Sequence, residues 1–182
     1  MRHIGEIENM IESTAGKMAD WIHRHSARPA ASQEVLKYAL SIYLNGFAIV
    51  LVSSFVGWMT GTFLEICIAM ICFSALRAFS GGNHFPTAMS CFLFSVGTFT
   101  LIAHLPTPSE PWIQYMLLIT SILLALLFAP NSKHDPIEKG KIYPYLKWIS
   151  VSIIASNFFF MSWVVTLAFF IQCLSLIPLQ RR

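Results

Sequence analysis

In RAFSGGNHFPTAMSC, Arg77 to Cys91, a Ser-Gly-Gly-Asn loop, a histidine and a cysteine stand between two long apolar runs. A thiol attacks a carbonyl efficiently only as its thiolate, and a nearby imidazole is the usual means of generating one at neutral pH. On one continuous helix the spacing of His84 and Cys91 separates them by about 10 Å along the axis, too far for a hydrogen bond. The loop removes that difficulty. Gly81-Gly82 accepts backbone angles closed to other residues, and Pro86 is a favoured first helical residue. His84 is then expected outside the helix, folded back towards a cysteine one to two turns in, whose position at the positive end of the helix also favours a thiolate. As pattern alone, the same residues also fit a packing cysteine beside an ordinary loop histidine.

Glu65 is an acid inside an apolar segment, where an ionisable group is costly and functional by default. It reads as an orienting partner for His84, a partner for Arg77, or a neutral, hydrogen-bonded structural carboxyl. Glu65 and Arg77 lie about 18 Å apart on one helix, which argues against a direct pair within it. His23 and His25 flank Arg24 and read as solvated, and His104 falls near the far end of the third apolar segment. No HExxH, CxxC, GxSxG, P-loop or dinucleotide fingerprint is present, so the sequence implies no metal and no cofactor.

The elements that must position these residues belong to a membrane protein. Apolar residues make up 55% of the 182 and charged ones 12%, against roughly 25% charged in a soluble domain. Mean hydropathy is +0.62, and the apolar residues are gathered into long runs nearly free of charge. The expected architecture is all-α: a polytopic helical bundle of about six apolar segments in one membrane domain over 1–182. Residues 1–28 form an amphipathic interfacial helix and 34–177 the bundle. Ile4, Ile7, Ile11, Met18 and Ile22 fall near a 3.6-residue repeat in the first of these, with Glu6, Glu8, Glu12, Lys17 and Asp20 opposite. That stripe suits the membrane interface, a partner's amphipathic helix, or the protein's own inner surface. The first 28 residues lack the continuous apolar core of a cleavable signal.

The apolar segments follow as Val35–Val56, Thr62–Leu76, Pro86–Leu105, Trp112–Ala129 and Leu146–Ile177. Gly57 and Gly61 bracket one turn, three prolines mark another, and a polar linker spans Pro130–Tyr145. The last run would be about 48 Å long as one straight helix, too long for a single span without strong tilt. A break near Ser156-Asn157, giving a short hairpin or re-entrant pair, is the compromise. With the N-terminus inside, all 12 Lys and Arg residues fall on the inner side or at its edge, which is a positive-inside pattern. The His84 loop is then cytoplasmic. Basic residues gather on no face or run, so no nucleic-acid partner is expected. The four cysteines sit in or beside apolar segments, so no disulfide framework is expected either.

Arg77, Gly82, His84 and Cys91, in that spacing, resemble the active-site region of the accessory gene regulator protein B (AgrB) family. Asn83 lies within the same loop. The similarity extends to the N-terminal amphipathic region, to FLE at Phe63–Glu65, and to FAPN with the basic residues that follow it, Phe128 to Lys141. It also includes LSLIPL at Leu174–Leu179. One departure is His134-Asp135-Pro136, where family members often carry Asn-Lys before the proline.

The resemblance implies a membrane cysteine endopeptidase of Gram-positive quorum sensing, with Cys91 as nucleophile and His84 as base. Arg77, Gly82, Asn83 and Glu65 would support them or bind substrate. The substrate would be a small AgrD-like precursor peptide at the lipid surface. Its C-terminal tail would be removed through a thioester on the enzyme, and ring closure would give a thiolactone or lactone. The resemblance also implies a homodimer in the cytoplasmic membrane, and the charge placement puts both termini and the site on the cytoplasmic side. The competing reading is a non-enzymatic peptide transporter or scaffold in which Cys91 only packs.

Overall fold

The computed structural model describes residues 2–25, 32–83, 87–131 and 136–177, with side chains described from residue 13 onward except for 136–143. Its elements are α1 (Arg2–His25), α2 (Gln33–Thr60), α3 (Phe63–Ser80), α4 (Ala88–His104), α5 (Pro111–Phe128), α6 (Pro136–Phe160) and α7 (Trp163–Leu174). Helices α2, α3 and α5 are long and apolar enough to cross a membrane, and α4 and α7 are shorter apolar helices. The expected all-α architecture, an amphipathic helix followed by about six apolar segments, is the one the chain adopts. Two compact units share these helices: Met1–Phe55 with Phe85–Thr98, and Val56–His84 with Phe99–Arg182.

In the first unit α1 packs through small residues onto the start of α2. Ala15 and Ala19 are fully buried, Gly16 lies against the Lys37 side chain, and the Gln33 amide donates to the Asp20 carboxylate. Met18 and Trp21 remain exposed. Beyond its first turns α2 displays Tyr43, Phe47, Leu51 and Phe55. Such an apolar surface suits lipid rather than water.

The second unit is a four-helix core. Leu76 of α3, Leu118 and Ala125 of α5, Ile154 of α6 and Phe169 of α7 interlock in it, with Leu176 just beyond α7. Phe73 of α3 meets Phe99 edge-on, with ring centroids 5.5 Å apart. Hydrogen bonds fix the helix directions. Near the start of α5, the Gln114 amide donates to Thr166 in the first turn of α7 (3.0 Å). At the other end, Gln172 of α7 donates to Ser80, the last residue of α3 (3.1 Å). Helices α3, α5 and α7 therefore run the same way, and α6 runs back against them.

Away from the Arg77–Cys91 segment, three boundaries differ most from the sequence expectation. Gly57 is not a turn residue, because α2 continues to Thr60. The helix ends instead in a Schellman turn, with Gly61 left-handed (φ +74°) and the Thr62 N–H bonded to the Gly57 carbonyl (2.9 Å). Gly57 is small because the Phe63 Cα would sit only 3.0 Å from a Cβ there. The polar linker is also shorter than expected, since α6 begins at Pro136, a favoured first helical residue.

The third difference is the final break, which falls at Met161-Ser162 rather than Ser156-Asn157. Asn157 is the cause. Its carboxamide oxygen accepts the Ser162 N–H (3.2 Å), while its nitrogen donates to the Ser162 carbonyl and the Thr166 hydroxyl. These bonds replace those the interrupted helix would have made. The result is an unequal hairpin of 25 residues and 12 residues.

Candidate active site

Cys91 lies in the first unit, in the first turn of α4. That helix starts at Ala88, two residues later than the sequence suggests, because Thr87 caps it. The Thr87 hydroxyl accepts the Ser90 N–H at 3.1 Å, and the Thr87 carbonyl accepts the Cys91 N–H at 3.2 Å. A threonine bonding the N–H three residues on is a favoured helix start. The Cys91 thiol is free and half-buried. His84 and Pro86 lie outside the described residues.

Arg77, Gly82 and Asn83 come together in the second unit. Helix α3 runs past Arg77 to Ser80, so this arginine sits in a last helical turn rather than in a loop, the end where a cation offsets the helix dipole. Its guanidinium donates to the Asn83 carbonyl (2.9 Å) and to the Gln172 carboxamide oxygen (3.4 Å). Gly81 (φ +72°) then turns the chain onto Asn131. The two residues form an isolated parallel bridge, in which the Asn131 N–H donates to the Ser80 carbonyl and the Gly82 N–H to the Asn131 carbonyl (2.9 and 3.1 Å). Asn83 is tied to the end of α7: its N–H donates to the Ser175 carbonyl (3.1 Å) and its side chain to the Ile177 carbonyl (2.6 Å).

Two glycines are required here for different reasons. A Cβ on Gly81 would run into the Asn131 carbonyl oxygen, and one on Gly82 (φ +145°) would press on Ser175 Oγ at 3.0 Å. Gly81→Ala is therefore expected to break the bridge to Asn131. A residue forced into such a conformation costs about 1–3 kcal/mol before the clash is counted. A melting temperature clearly below wild type in detergent is the expected result, and an unchanged one would show that this backbone gives way.

Glu65 is half-buried in the first turn of α3, at the opposite end of that helix from Arg77, so the two are not brought together. A carboxylate at that helix end is favoured by the unpaired N–H groups. Among the described residues no group of three His, Cys, Asp or Glu side chains is placed to hold a metal ion.

Sequence reasoning did not single out Gln172 or Thr87, and noted Asn131 and Ser175 only as parts of the FAPN and LSLIPL motifs. Gln172 carried a signal, as a polar residue near the end of an apolar helix. Thr87 carried another, the threonine at a helix start. Asn131 and Ser175 act through contacts far apart in the chain, and the motifs that contain them do not say what they touch.

Helices of spanning length make the chain a polytopic membrane protein. The accessory gene regulator B (AgrB) family matches residues 15–179, nearly the whole chain, and the chain belongs to that family. Membership carries a peptidase-like role in the peptide processing of accessory gene regulation, a quorum-sensing system. No curated protein and no solved structure matches it significantly.

Proposed function

We propose that the chain is a cysteine endopeptidase that removes the C-terminal tail of an AgrD-like precursor and supports cyclisation of the retained part. The observation that carries the reading is family membership over residues 15–179 in a chain that holds Arg77, Gly82, His84 and Cys91 in the family's spacing. The half-buried thiol in the first turn of α4 is compatible with it.

In this mechanism the His84 imidazole takes the proton from Cys91 Sγ, and the thiolate attacks the carbonyl of the scissile peptide bond. Collapse of the tetrahedral intermediate breaks the C–N bond, and the tail leaves as an amine carrying the proton from His84. The retained part is then a thioester on Cys91. A cysteine or serine of the precursor attacks that carbonyl, the ring closes, and Cys91 Sγ leaves to be reprotonated. Thioester exchange conserves acyl energy, so no ATP is needed while water is kept from the intermediate.

The protein works as one membrane domain over 1–182, as a homodimer, at the cytoplasmic leaflet with both termini inside. Charge placement supports that orientation. In a cysteine-free background, Thr107→Cys and Lys139→Cys are expected to react with an impermeant thiol reagent from opposite sides. Labelling of Lys139→Cys in intact cells would invert the topology and place the site outside.

Co-expression with the precursor, followed by mass spectrometry, tests the activity itself. The expected products are the free tail and a peptide one water lighter than the linear remainder, with a thioester on Cys91 as the transient species. An intact precursor, or a tail released without Cys91, would overturn the reading.

A further inference from the structure

Gln172 is fully buried in α7, and both the nitrogen and the oxygen of its carboxamide have partners. The nitrogen donates to Gly81 O (2.7 Å) and Ser80 Oγ (3.1 Å). The oxygen accepts from Arg77 Nη1 (3.4 Å) and lies 3.2 Å from Ser175 Oγ, whose one hydrogen is shared with the Gln172 backbone carbonyl (2.7 Å). The amide can take only this orientation, since the Gly81 carbonyl can only accept and a guanidinium can only donate. One side chain thus holds the last turn of α3, the turn after it and the Arg77 head group together.

The same loop is held on its other flank by Asn131, whose side chain donates to the Leu176 carbonyl (3.0 Å). Gly82 would bring a Cβ within 3.5 Å of Gln172 Nε2, so the backbone passes directly over the amide. This clamp ends at Asn83, and His84 is the next residue in the chain. A polar network whose members are all satisfied, in surroundings of low dielectric, is rigid, and removing one member leaves several groups unpaired.

We propose that Gln172 is a positioning residue for the His84 base: it fixes Arg77 and the Ser80–Asn83 backbone, and through them the stretch of chain that leads directly into His84. The proposal rests on the cysteine–histidine reading above. A catalytic group must be held within about 0.5 Å of its productive place by partners that are themselves locked, and Gln172 meets the loop at three points, Ser80, Gly81 and Arg77. Simple packing of α7 would have been served by leucine, without the cost of burying an amide.

The test uses the full chain in membranes, with iodoacetamide as probe. Alkylation of Cys91 is read by mass spectrometry of its peptide as a function of pH, for wild type, Gln172→Met, His84→Ala and the double variant. Gln172→Met is expected to slow alkylation at neutral pH about tenfold, a part of the roughly 10²–10⁴ that a positioned base supplies. Its profile should move towards that of His84→Ala. Added to His84→Ala, it should change nothing further, because residues acting through one another are not additive.

Equal slowing in both backgrounds would mean a purely structural role and would overturn the proposal, as would a wild-type profile for Gln172→Met. Should His84→Ala itself match wild type, the cysteine–histidine reading fails and the proposal falls with it. That result is distinct from the loss of Gln172 alone. If Gln172→Met does not accumulate in the membrane, Ser175→Ala takes its place. It removes the hydroxyl that lies beside both Gly82 and the Gln172 amide without opening a large cavity. A shift towards His84→Ala supports the proposal, and no shift overturns it.

Discussion

Replacing Cys91 with alanine is expected to abolish cleavage of the precursor while leaving the protein inserted in the membrane. The thiol is the atom that forms the acyl-enzyme bond, and alanine offers no substitute, so no slower route through the same intermediate remains. Insertion should survive because Cys91 is half-buried in a first helical turn and stands outside the four-helix core. The capping of α4 depends on Thr87, not on the thiol. His84→Ala is expected to lose at least about a hundredfold in processing, the lower end of what a general base contributes. Only a few per cent of an unassisted thiol is ionised at pH 7. Both variants are read by mass spectrometry of the precursor together with protein level by immunoblot. Full processing by Cys91→Ala would sink the mechanism outright.

The second large effect is expected from Ile7→Asp combined with Ile11→Asp. Helical periodicity sets positions 7 and 11 in one row with Met18, and Met18 is exposed while Ala15 and Ala19 are buried. The buried edge of α1 thus holds small residues at Ala15 and Ala19, and the row that Met18 belongs to is expected to take an amphipathic precursor helix at the leaflet surface. Each isoleucine is worth roughly 1.5–3 kcal/mol if fully buried by such a partner. Even partial loss corresponds to a tenfold or greater fall in processing, since about 1.4 kcal/mol is a factor of ten in binding. Alkylation of Cys91 should stay at the wild-type rate. A parallel fall in alkylation and protein level would assign the stripe to the fold, and normal processing would remove recruitment by α1 altogether.

The charge-poor runs, the amphipathic start and the Arg77-Gly82-His84-Cys91 spacing are properties of sequence. Hydrophobic run length and helical period are set residue by residue, and they yielded the all-α membrane architecture and the family without help from tertiary contacts. Helix ends were less legible. The late break at Met161 depends on the Asn157 side chain bonding across it to Ser162. The end of α2 depends on a Schellman turn that favours Gly61 over Gly57. Both are short-range competitions for the same backbone groups, and apolar periodicity does not register them.

The clamp on the Arg77–Asn83 segment lay beyond the reach of sequence altogether. Gln172 meets Ser80 and Gly81, and Asn131 meets Leu176, only because α3, α5 and α7 run the same way and bring their ends to one end of the core. Pairings between residues so distant in the chain leave no periodic or local trace. The sequence by itself determined which groups were available for chemistry and that they sit in a membrane bundle. Only the tertiary structure decided what holds the loop before His84, because buried polar groups must find partners and the packing of the helices dictates which ones are within reach.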